Sequence, residues 1–177
     1  MEQFKGTTIV AVKKDGKTVI AGDGQVTMGQ QIILKGTAHK VRRLFGGKVV
    51  VGFAGGTADA FAMCEEFEKM LNKYSGSLMR SAVEYAKNIR NGHRGNSEAM
   101  MIVADKDTLL ILTSIGDVVE PDDGVCAIGS GGNYALSAAK ALINNTDLGA
   151  RDIAIKAMEI ASSICIFTNG NYVIEEV

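Results

Sequence analysis

The sequence predicts an α+β domain of four layers, in which two mostly antiparallel sheets lie between two layers of helices. Short β-branched runs are joined by turns rich in glycine, asparagine and aspartate, a pattern typical of hairpins. Amphipathic helical segments occur as two pairs, one in the middle of the chain and one near its end. With 177 residues, 46% of them hydrophobic, the chain is long enough to form one domain around a substantial core.

The first elements are predicted to be strands. Thr7 to Val12 and Thr18 to Ala21 flank Lys14-Asp15-Gly16, and Asp-Gly is a strong signal for a hairpin turn. Lys48 to Ala54 is almost continuously apolar, which indicates a strand buried on both faces. We therefore expect a hairpin followed by a central strand.

The periodicity then changes to that of helices. Apolar residues recur at helical spacing from Thr57 to Leu71, and Ser75-Gly76 separates this helix from a second one over Leu78 to Ile89. Asn133 to Leu142 and Ala150 to Ile164 form the second predicted helix pair.

Further strands are expected between and after the helix pairs. The predicted segments are Met100 to Ala104, Thr108 to Thr113, Val125 to Ile128, Cys165 to Thr168 and Tyr172 to Ile174. The last two flank Asn169-Gly170-Asn171, which favours another hairpin turn.

Composition excludes several classes of function. The formal net charge is -1 and no block of basic residues occurs, which argues against nucleic-acid binding. No apolar run approaches the roughly 20 residues of a membrane span. Three cysteines and two histidines at wide spacings form neither a zinc pattern nor a disulfide framework. We therefore expect a protein of a reducing compartment, the cytoplasm.

Two glycine-flanked polar residues each have two interpretations. Gly129-Ser130-Gly131-Gly132 is either a weak match to a phosphate-binding loop or a small-residue turn that brings a hydroxyl and backbone amides close to another group. Asp23 lies between two glycines and forms either an Asx turn or a buried carboxylate. The residues alone do not decide between these alternatives.

The segment from Lys35 to Leu44 is also open to two interpretations. It carries four lysines and arginines in addition to His39, as expected of a solvated edge strand. The alternative is that one of its cations is part of a functional site.

A threonine near the beginning of the chain can carry chemistry. Thr7 at the head of a strand is ordinarily a good strand former. If the chain is cut before Thr7, however, its hydroxyl and its own α-amine provide a nucleophile and a base within one residue. The α-amine has a reference pKa of about 7.7–8.0, close to operating pH, whereas that of lysine is about 10.4.

Six segments become specific when they are taken together. They are Thr7-Thr8-Ile9-Val10, Gly22-Asp23-Gly24-Gln25, Lys40-Val41-Arg42-Arg43-Leu44, Gly52 to Ala60, Ile128 to Gly132, and Ile164 to Asn169. In this order they resemble the HslV family, the proteasome-related peptidases of bacterial ATP-dependent proteases. These peptidases are N-terminal-nucleophile hydrolases of the threonine type, and the resemblance extends from Thr7 to Val177.

The resemblance implies a role for individual residues. Thr7 is the nucleophile and its freed α-amine the base, so residues 1–6 are a propeptide and 7–177 a single peptidase domain. Lys40 lowers the pKa of that amine, and Asp23 orients the lysine. Gly52 offers its backbone N–H to the oxyanion, and Ser130 lies near the amine. Thr8 is expected to be structural.

The resemblance also implies ligands and partners. Ser162, Cys165 and Thr168 match positions whose main-chain carbonyls hold a sodium ion, and no organic cofactor is expected. The subunits assemble as two stacked hexameric rings and degrade unfolded polypeptides delivered by an HslU-type AAA+ ATPase, which alone uses ATP. Ile89 to Ser97 departs from the family pattern, with glycines in place of helix formers, which weakens the expectation for ring assembly and ATPase docking.

Two rival functions remain open at this point. One is a small-molecule amidohydrolase of the same class, which normally needs a longer chain. The other is an inactive ring subunit that keeps the fold, and the altered segment Ile89 to Ser97 motivates it.

Overall fold

The computed structural model describes residues 4–5, 7–29, 31–92 and 98–177. Its helices are α1 (Thr57–Lys73), α2 (Leu78–Asn91), α3 (Gly132–Asn145) and α4 (Ala150–Ile164). Its strands are β1 (Phe4–Lys5), β2 (Thr8–Lys14), β3 (Lys17–Asp23), β4 (Val26–Met28), β5 (Ile32–Lys35), β6 (Val41–Leu44), β7 (Val49–Ala54), β8 (Met100–Ala104), β9 (Leu109–Thr113), β10 (Val118–Val119), β11 (Val125–Gly129) and β12 (Tyr172–Glu176).

The strands form two main sheets whose neighbours are all antiparallel. One sheet has the order β10-β9-β8-β7-β6 and the other the order β11-β2-β3-β12. A smaller sheet, β1-β4-β5, was not expected from the sequence.

The layers are held together by three apolar clusters, one at each boundary between layers. Phe67 and Leu71 of α1 and Tyr85 of α2 pack on the five-stranded sheet. Helices α3 and α4 cover the four-stranded sheet, and the inner faces of the two sheets meet around residues such as Ile9 and Ile102. The predicted α+β sandwich of four layers is confirmed.

Local signals placed the first hairpin and the central strand correctly. Asp15 and Gly16, at the turn between β2 and β3, have φ values of 53° and 76°, the left-handed conformation that a two-residue hairpin turn requires. All six residues of β7 are buried, as a continuous apolar run predicts.

The prediction of a strand over Cys165 to Thr168 was wrong. This segment is a turn, in which the Thr168 N–H donates to the Cys165 carbonyl at 3.1 Å. Its apolar composition resembles that of a strand, but Ile166 is 75% exposed. The edge of the four-stranded sheet is instead formed by β12, which pairs with β3.

Candidate active site

The site lies where β2 begins and β3 ends. Because the hairpin turn fixes the register, Ile9 pairs with Gly22, and the residues just beyond this pair, Thr8 and Asp23, lie side by side. Thr7 directly precedes β2, and its side chain is buried. The hairpin therefore brings the predicted nucleophile and the predicted carboxylate to the same end of the sheet.

Asp23 is completely buried, and within the described residues its carboxylate accepts hydrogen bonds from four donors. Oδ1 accepts from the backbone N–H of Thr8 at 2.8 Å and from Lys40 Nζ at 2.9 Å. Oδ2 accepts from the backbone N–H groups of Gln25 at 2.9 Å and Asn169 at 3.3 Å. The bond to Gln25 closes an Asx turn, so both interpretations of Asp23 apply at once.

Lys40 is the buried cation of the site, with 4% of its surface exposed. Besides the ion pair with Asp23, its ammonium donates to the Gln25 carbonyl at 2.5 Å. Burial lowers the pKa of Lys40 below its ordinary value, and the Asp23 charge and hydrogen bond oppose this shift. The interpretation as a solvated edge strand holds for exposed Arg42 and Arg43 of β6 but not for Lys40.

The Thr7 main chain is in close contact with the turn after β11. A Cβ atom placed on Gly129 would lie 2.1 Å from the Thr7 carbonyl oxygen, and Gly129 has a φ of +93°. Both observations require glycine at this position. On the other side, the Thr8 N–H that follows Thr7 shares the Asp23 oxygen with Lys40, so the ammonium lies close to the Thr7–Thr8 peptide link.

Ser130 lies in this same turn, between β11 and α3. Its side chain is exposed and has no hydrogen-bond partner among the residues that the structure describes. The next amide, that of Gly131, donates to Thr8 Oγ1 at 3.0 Å. Of the two alternatives for this segment, the structure favours the small-residue turn over the phosphate-binding loop. One amide of Gly129-Ser130-Gly131-Gly132 is directed at a protein hydroxyl.

The geometry of the sheet argues against Gly52 as the oxyanion donor. Gly52 is paired with Val41 on one side and Ile102 on the other. The N–H of the next residue, Phe53, donates to the Lys40 carbonyl on the β6 side at 3.1 Å. Since neighbouring residues of an antiparallel strand direct their N–H groups to opposite sides, the Gly52 N–H points towards β8 and away from Lys40.

The three residues predicted to hold a cation lie at the end of α4. Ser162 is in the last turn of this helix, where the Ala161 carbonyl accepts the Cys165 N–H at 2.8 Å and the carbonyls that follow lack the donors of a further helical turn. Cys165 directly follows the helix, and Thr168 ends the turn after it. The Ser162 hydroxyl donates to the Glu159 carbonyl and also lies 2.9 Å from the Tyr172 hydroxyl. Main-chain carbonyls at a helix C-terminus suit a hard cation such as sodium.

The sequence did not identify three residues that hold the site together. Gln25 and Asn169 contact the Asp23 carboxylate through their backbone N–H groups, and Thr8 was expected to be only structural. Thr8 pairs with residues more than 100 positions away along the chain, and no local pattern encodes such contacts. For Asn169 a weak signal existed, since Asn-Gly-Asn marks a turn whose side chains bond to nearby backbone.

Some predictions fall outside the described residues. The cleavage bond involves Gly6, and the segment that departs from the family pattern includes residues 93–97, neither of which the structure describes. In the described ranges, no helix is both long enough and apolar enough to cross a membrane.

Comparisons with known proteins identify the family. The family model described as proteasome subunit matches residues 3–177. The ATP-dependent protease subunit HslV of Sulfurihydrogenibium sp. (strain YO3AOP1) is 58% identical over 178 residues, which cover 100% of this chain and 99% of the relative. The crystal structure of HslV from Trypanosoma brucei superposes with a TM-score of 0.89 at 42% identity, covering 96% of this chain and 98% of that one.

A more distant structure shares the fold alone. The structure of Thiobacillus denitrificans BPH in complex with epoxomicin has a TM-score of 0.71 at 18% identity and covers 96% of this chain and 97% of that one. With the family model, the HslV relatives and the four-layer fold in agreement, the chain belongs to the proteasome subunit family.

Proposed function

We propose that the chain is a threonine-type endopeptidase, the proteolytic subunit of an ATP-dependent protease. The observation that carries the proposal is the buried Lys40–Asp23 ion pair, which is bonded to the backbone directly after Thr7. Burying an ion pair costs desolvation free energy, and such pairs cluster at functional sites. Its position beside a buried threonine therefore favours a role in catalysis. The similarity to an ATP-dependent protease subunit supports the same function.

In the proposed reaction, Thr7 acts through both ends of one residue. Cleavage of the Gly6–Thr7 bond frees the α-amine, whose lone pair is delocalised while it belongs to a peptide bond. The Thr7 hydroxyl then attacks the substrate carbonyl carbon, and its proton passes to the amine. The amine returns the proton to the leaving amine of the substrate, which leaves an ester on the Thr7 oxygen. Water then attacks this ester and gives a proton to the α-amine, which passes it to the Thr7 oxygen as the acid product leaves.

Lys40 sets the electrostatic environment of that amine. A positive charge close to an amine disfavours its protonated form and lowers its pKa, which increases the fraction available as a base. Asp23 keeps Lys40 in place and charged, because it opposes the effect of burial on the lysine pKa. Ser130, held in the turn against Thr7, supplies a hydroxyl to the same region.

We also propose that the carbonyls of Ser162, Cys165 and Thr168 hold a sodium ion. The helix C-terminus supplies partial negative charge, and the turn from Cys165 to Thr168 adds further carbonyls. A cation there would stabilise the turn that carries Asn169, a donor to Asp23. The proposed ligands use no cysteine thiolate.

The proposed assembly is two stacked hexameric rings that receive unfolded polypeptides from an HslU-type ATPase in the cytoplasm. An exposed apolar strand supports assembly: every residue of β5 is exposed, including Ile32 (51%), Ile33 (62%) and Leu34 (50%). Monomeric proteins rarely leave such a run uncovered at a sheet edge.

Two substitutions of Thr7 test the proposal. We expect Thr7→Ala to reduce peptide hydrolysis, measured with the ATPase present, by about 10³-fold or more, because the nucleophile is lost. Thr7→Ser keeps a hydroxyl and should retain measurable activity. Thr108→Ala, a threonine in the turn between β8 and β9, serves as the matched control. Undiminished turnover by Thr7→Ala would rule out Thr7 as the nucleophile, and inactivity of the wild type would favour an inactive ring subunit.

A further inference from the structure

We infer that Thr8 is a positioning residue. Its side-chain hydroxyl holds two parts of the site in place around Thr7: the turn from Gly129 to Gly132, called the Ser130 turn below, and the Asp23–Lys40 ion pair. The inference rests on the proposed function, because it assigns a role in the reaction that Thr7 initiates. Thr8 follows Thr7 directly, and its side chain is completely buried.

The Thr8 hydroxyl makes two hydrogen bonds to distant segments of the chain. Its Oγ1 accepts the Gly131 N–H at 3.0 Å and lies 2.7 Å from Thr168 Oγ1. Because Oγ1 also carries a proton, it can donate to Thr168 while it accepts from Gly131. One hydroxyl therefore joins the turn after β11 to the turn after α4.

The hydrogen bond from the Gly131 N–H to Thr8 Oγ1 fixes the position of Ser130. Ser130 has a glycine on either side, and each glycine is in contact with the Thr7–Thr8 segment. The Gly129 backbone lies against the Thr7 carbonyl, and a Cβ on Gly131 would lie 2.2 Å from Thr8 Oγ1. The Ser130 side chain itself has no hydrogen-bond partner within the described ranges, so its position depends on these flanking contacts.

The hydrogen bond between the Thr8 and Thr168 hydroxyls fixes the position of the Asp23 carboxylate, which binds Lys40. The residue after Thr168 is Asn169, whose backbone N–H donates to Asp23 Oδ2 at 3.3 Å. The Thr8 backbone N–H donates to the other oxygen, Oδ1, at 2.8 Å. Thr8 thus reaches Asp23 directly through its main chain and indirectly through its side chain, which couples the Ser130 turn to the ion pair.

Loss of the hydroxyl should therefore affect the reaction more than substrate binding. Thr8→Val keeps the β-branched shape but leaves the Gly131 N–H and the Thr168 hydroxyl unpaired in a buried site. The two turns are then free to shift relative to Thr7, and a shift on the order of 1 Å can cost roughly 100-fold in rate. We expect kcat for a model peptide to fall by about 10- to 100-fold in Thr8→Val with KM nearly unchanged.

Two further variants separate positioning from a merely structural role. Thr8→Ser retains the hydroxyl, and we expect it to restore most of kcat. Thr18→Val removes a buried threonine hydroxyl from the neighbouring strand, where Oγ1 has no partner among the described residues, and should leave kcat unchanged. Full kcat in Thr8→Val, or an equal loss in Thr8→Ser and Thr8→Val, would overturn the inference.

Two further measurements test the bonds of the Thr8 hydroxyl. One changes its partner Thr168, and the other follows hydrogen exchange and does not depend on activity. Thr168→Val should lower kcat, though less than Thr8→Val, because it leaves the Gly131 bond intact. The double variant should be little worse than Thr8→Val alone, because Thr8→Val already breaks the contact with Thr168. Hydrogen exchange at the Gly131 amide should accelerate in Thr8→Val but not in Thr18→Val; unchanged exchange would contradict the inference. If Thr7→Ala remains active, the proposed nucleophile is wrong; if only Thr8→Val remains active, the proposed nucleophile stands and the role of Thr8 does not.

Discussion

The two ends of the β2–β3 hairpin have opposite chemistry. At the turn end, Asp15 and Gly16 are exposed, and Lys17 forms an exposed ion pair with Glu176, with 67% and 33% of the side chains accessible. At the other end, Lys40 and Asp23 form an ion pair that is almost completely buried. The same two strands thus end once in water and once in a closed polar network.

The difference shows where the structure depends on single interactions. Exposed ion pairs contribute about 0–1 kcal/mol to stability, because water screens them and the side chains lose entropy. Removal of one partner of a buried pair costs about 3–5 kcal/mol, because it leaves an uncompensated charge in the interior. We therefore expect substitutions at the buried end to be costly and the same substitutions at the turn end to be mild.

The largest difference is expected between two lysines. Lys40→Met should destabilise the fold by about 3–5 kcal/mol, because Asp23 loses its buried counterion. It should also reduce peptide hydrolysis by about 10²-fold or more, because the α-amine loses the nearby positive charge that lowers its pKa and keeps it unprotonated. Lys17→Met, the control at the turn end, should cost less than about 1 kcal/mol. Urea unfolding and peptide assays of both variants measure this, and equal effects would show that the two ends do not differ.

Two glycines with positive φ provide the next comparison. Gly129→Ala should cost about 2 kcal/mol or more, because a Cβ there meets the Thr7 carbonyl in addition to an unfavourable φ of +93°. Gly16→Ala has a φ of +76° with no atom within 4 Å of the new Cβ, so only the conformational cost of about 1 kcal/mol remains. Thermal unfolding of both variants measures the difference, and a larger loss for Gly16→Ala would contradict the packing described at Thr7.

The last comparison concerns two buried threonines, one of which, Thr18, is expected to show the smallest effect of all. Thr18 Oγ1, towards the turn end, is buried and has no hydrogen-bond partner in the part of the chain that the structure describes, whereas Thr8 Oγ1 has two. Thr18→Val should therefore be neutral or stabilise the fold by up to about 1 kcal/mol, and Thr8→Val should destabilise it by about 1–3 kcal/mol. Denaturation midpoints measure both, and a loss of stability in Thr18→Val would mean that its hydroxyl is paired after all.

The turn end could be predicted from the sequence because its signals are local. Asp15-Gly16 specifies the turn, and the β-branched residues on both sides specify the strands and the register. The helix pairs were predicted for the same reason, since helical periodicity is contained within each segment.

The buried end could be predicted only in part, because its contacts span the whole chain. Thr8 contacts Thr168, 160 residues away, and no periodicity encodes such a pair. The strand prediction for Cys165 to Thr168 failed for a related reason. An apolar run predicts a strand, but this segment forms a turn. The turn brings Thr168 to Thr8 and Asn169 to Asp23. Gly52 lies in a motif of the family, but its N–H direction depends on the sheet pairing on both sides.

The central claim is that cleavage at Gly6–Thr7 converts Thr7 into a nucleophile with its own base. The intact mass of the purified protein, expressed with its ATPase partner, tests this most directly. We predict that the wild type lacks residues 1–6 and begins with Thr7, whereas Thr7→Ala retains them. A wild-type protein that hydrolyses peptides while it still carries residues 1–6 would contradict the account, because the Thr7 nitrogen would then be an amide and unable to accept the proton.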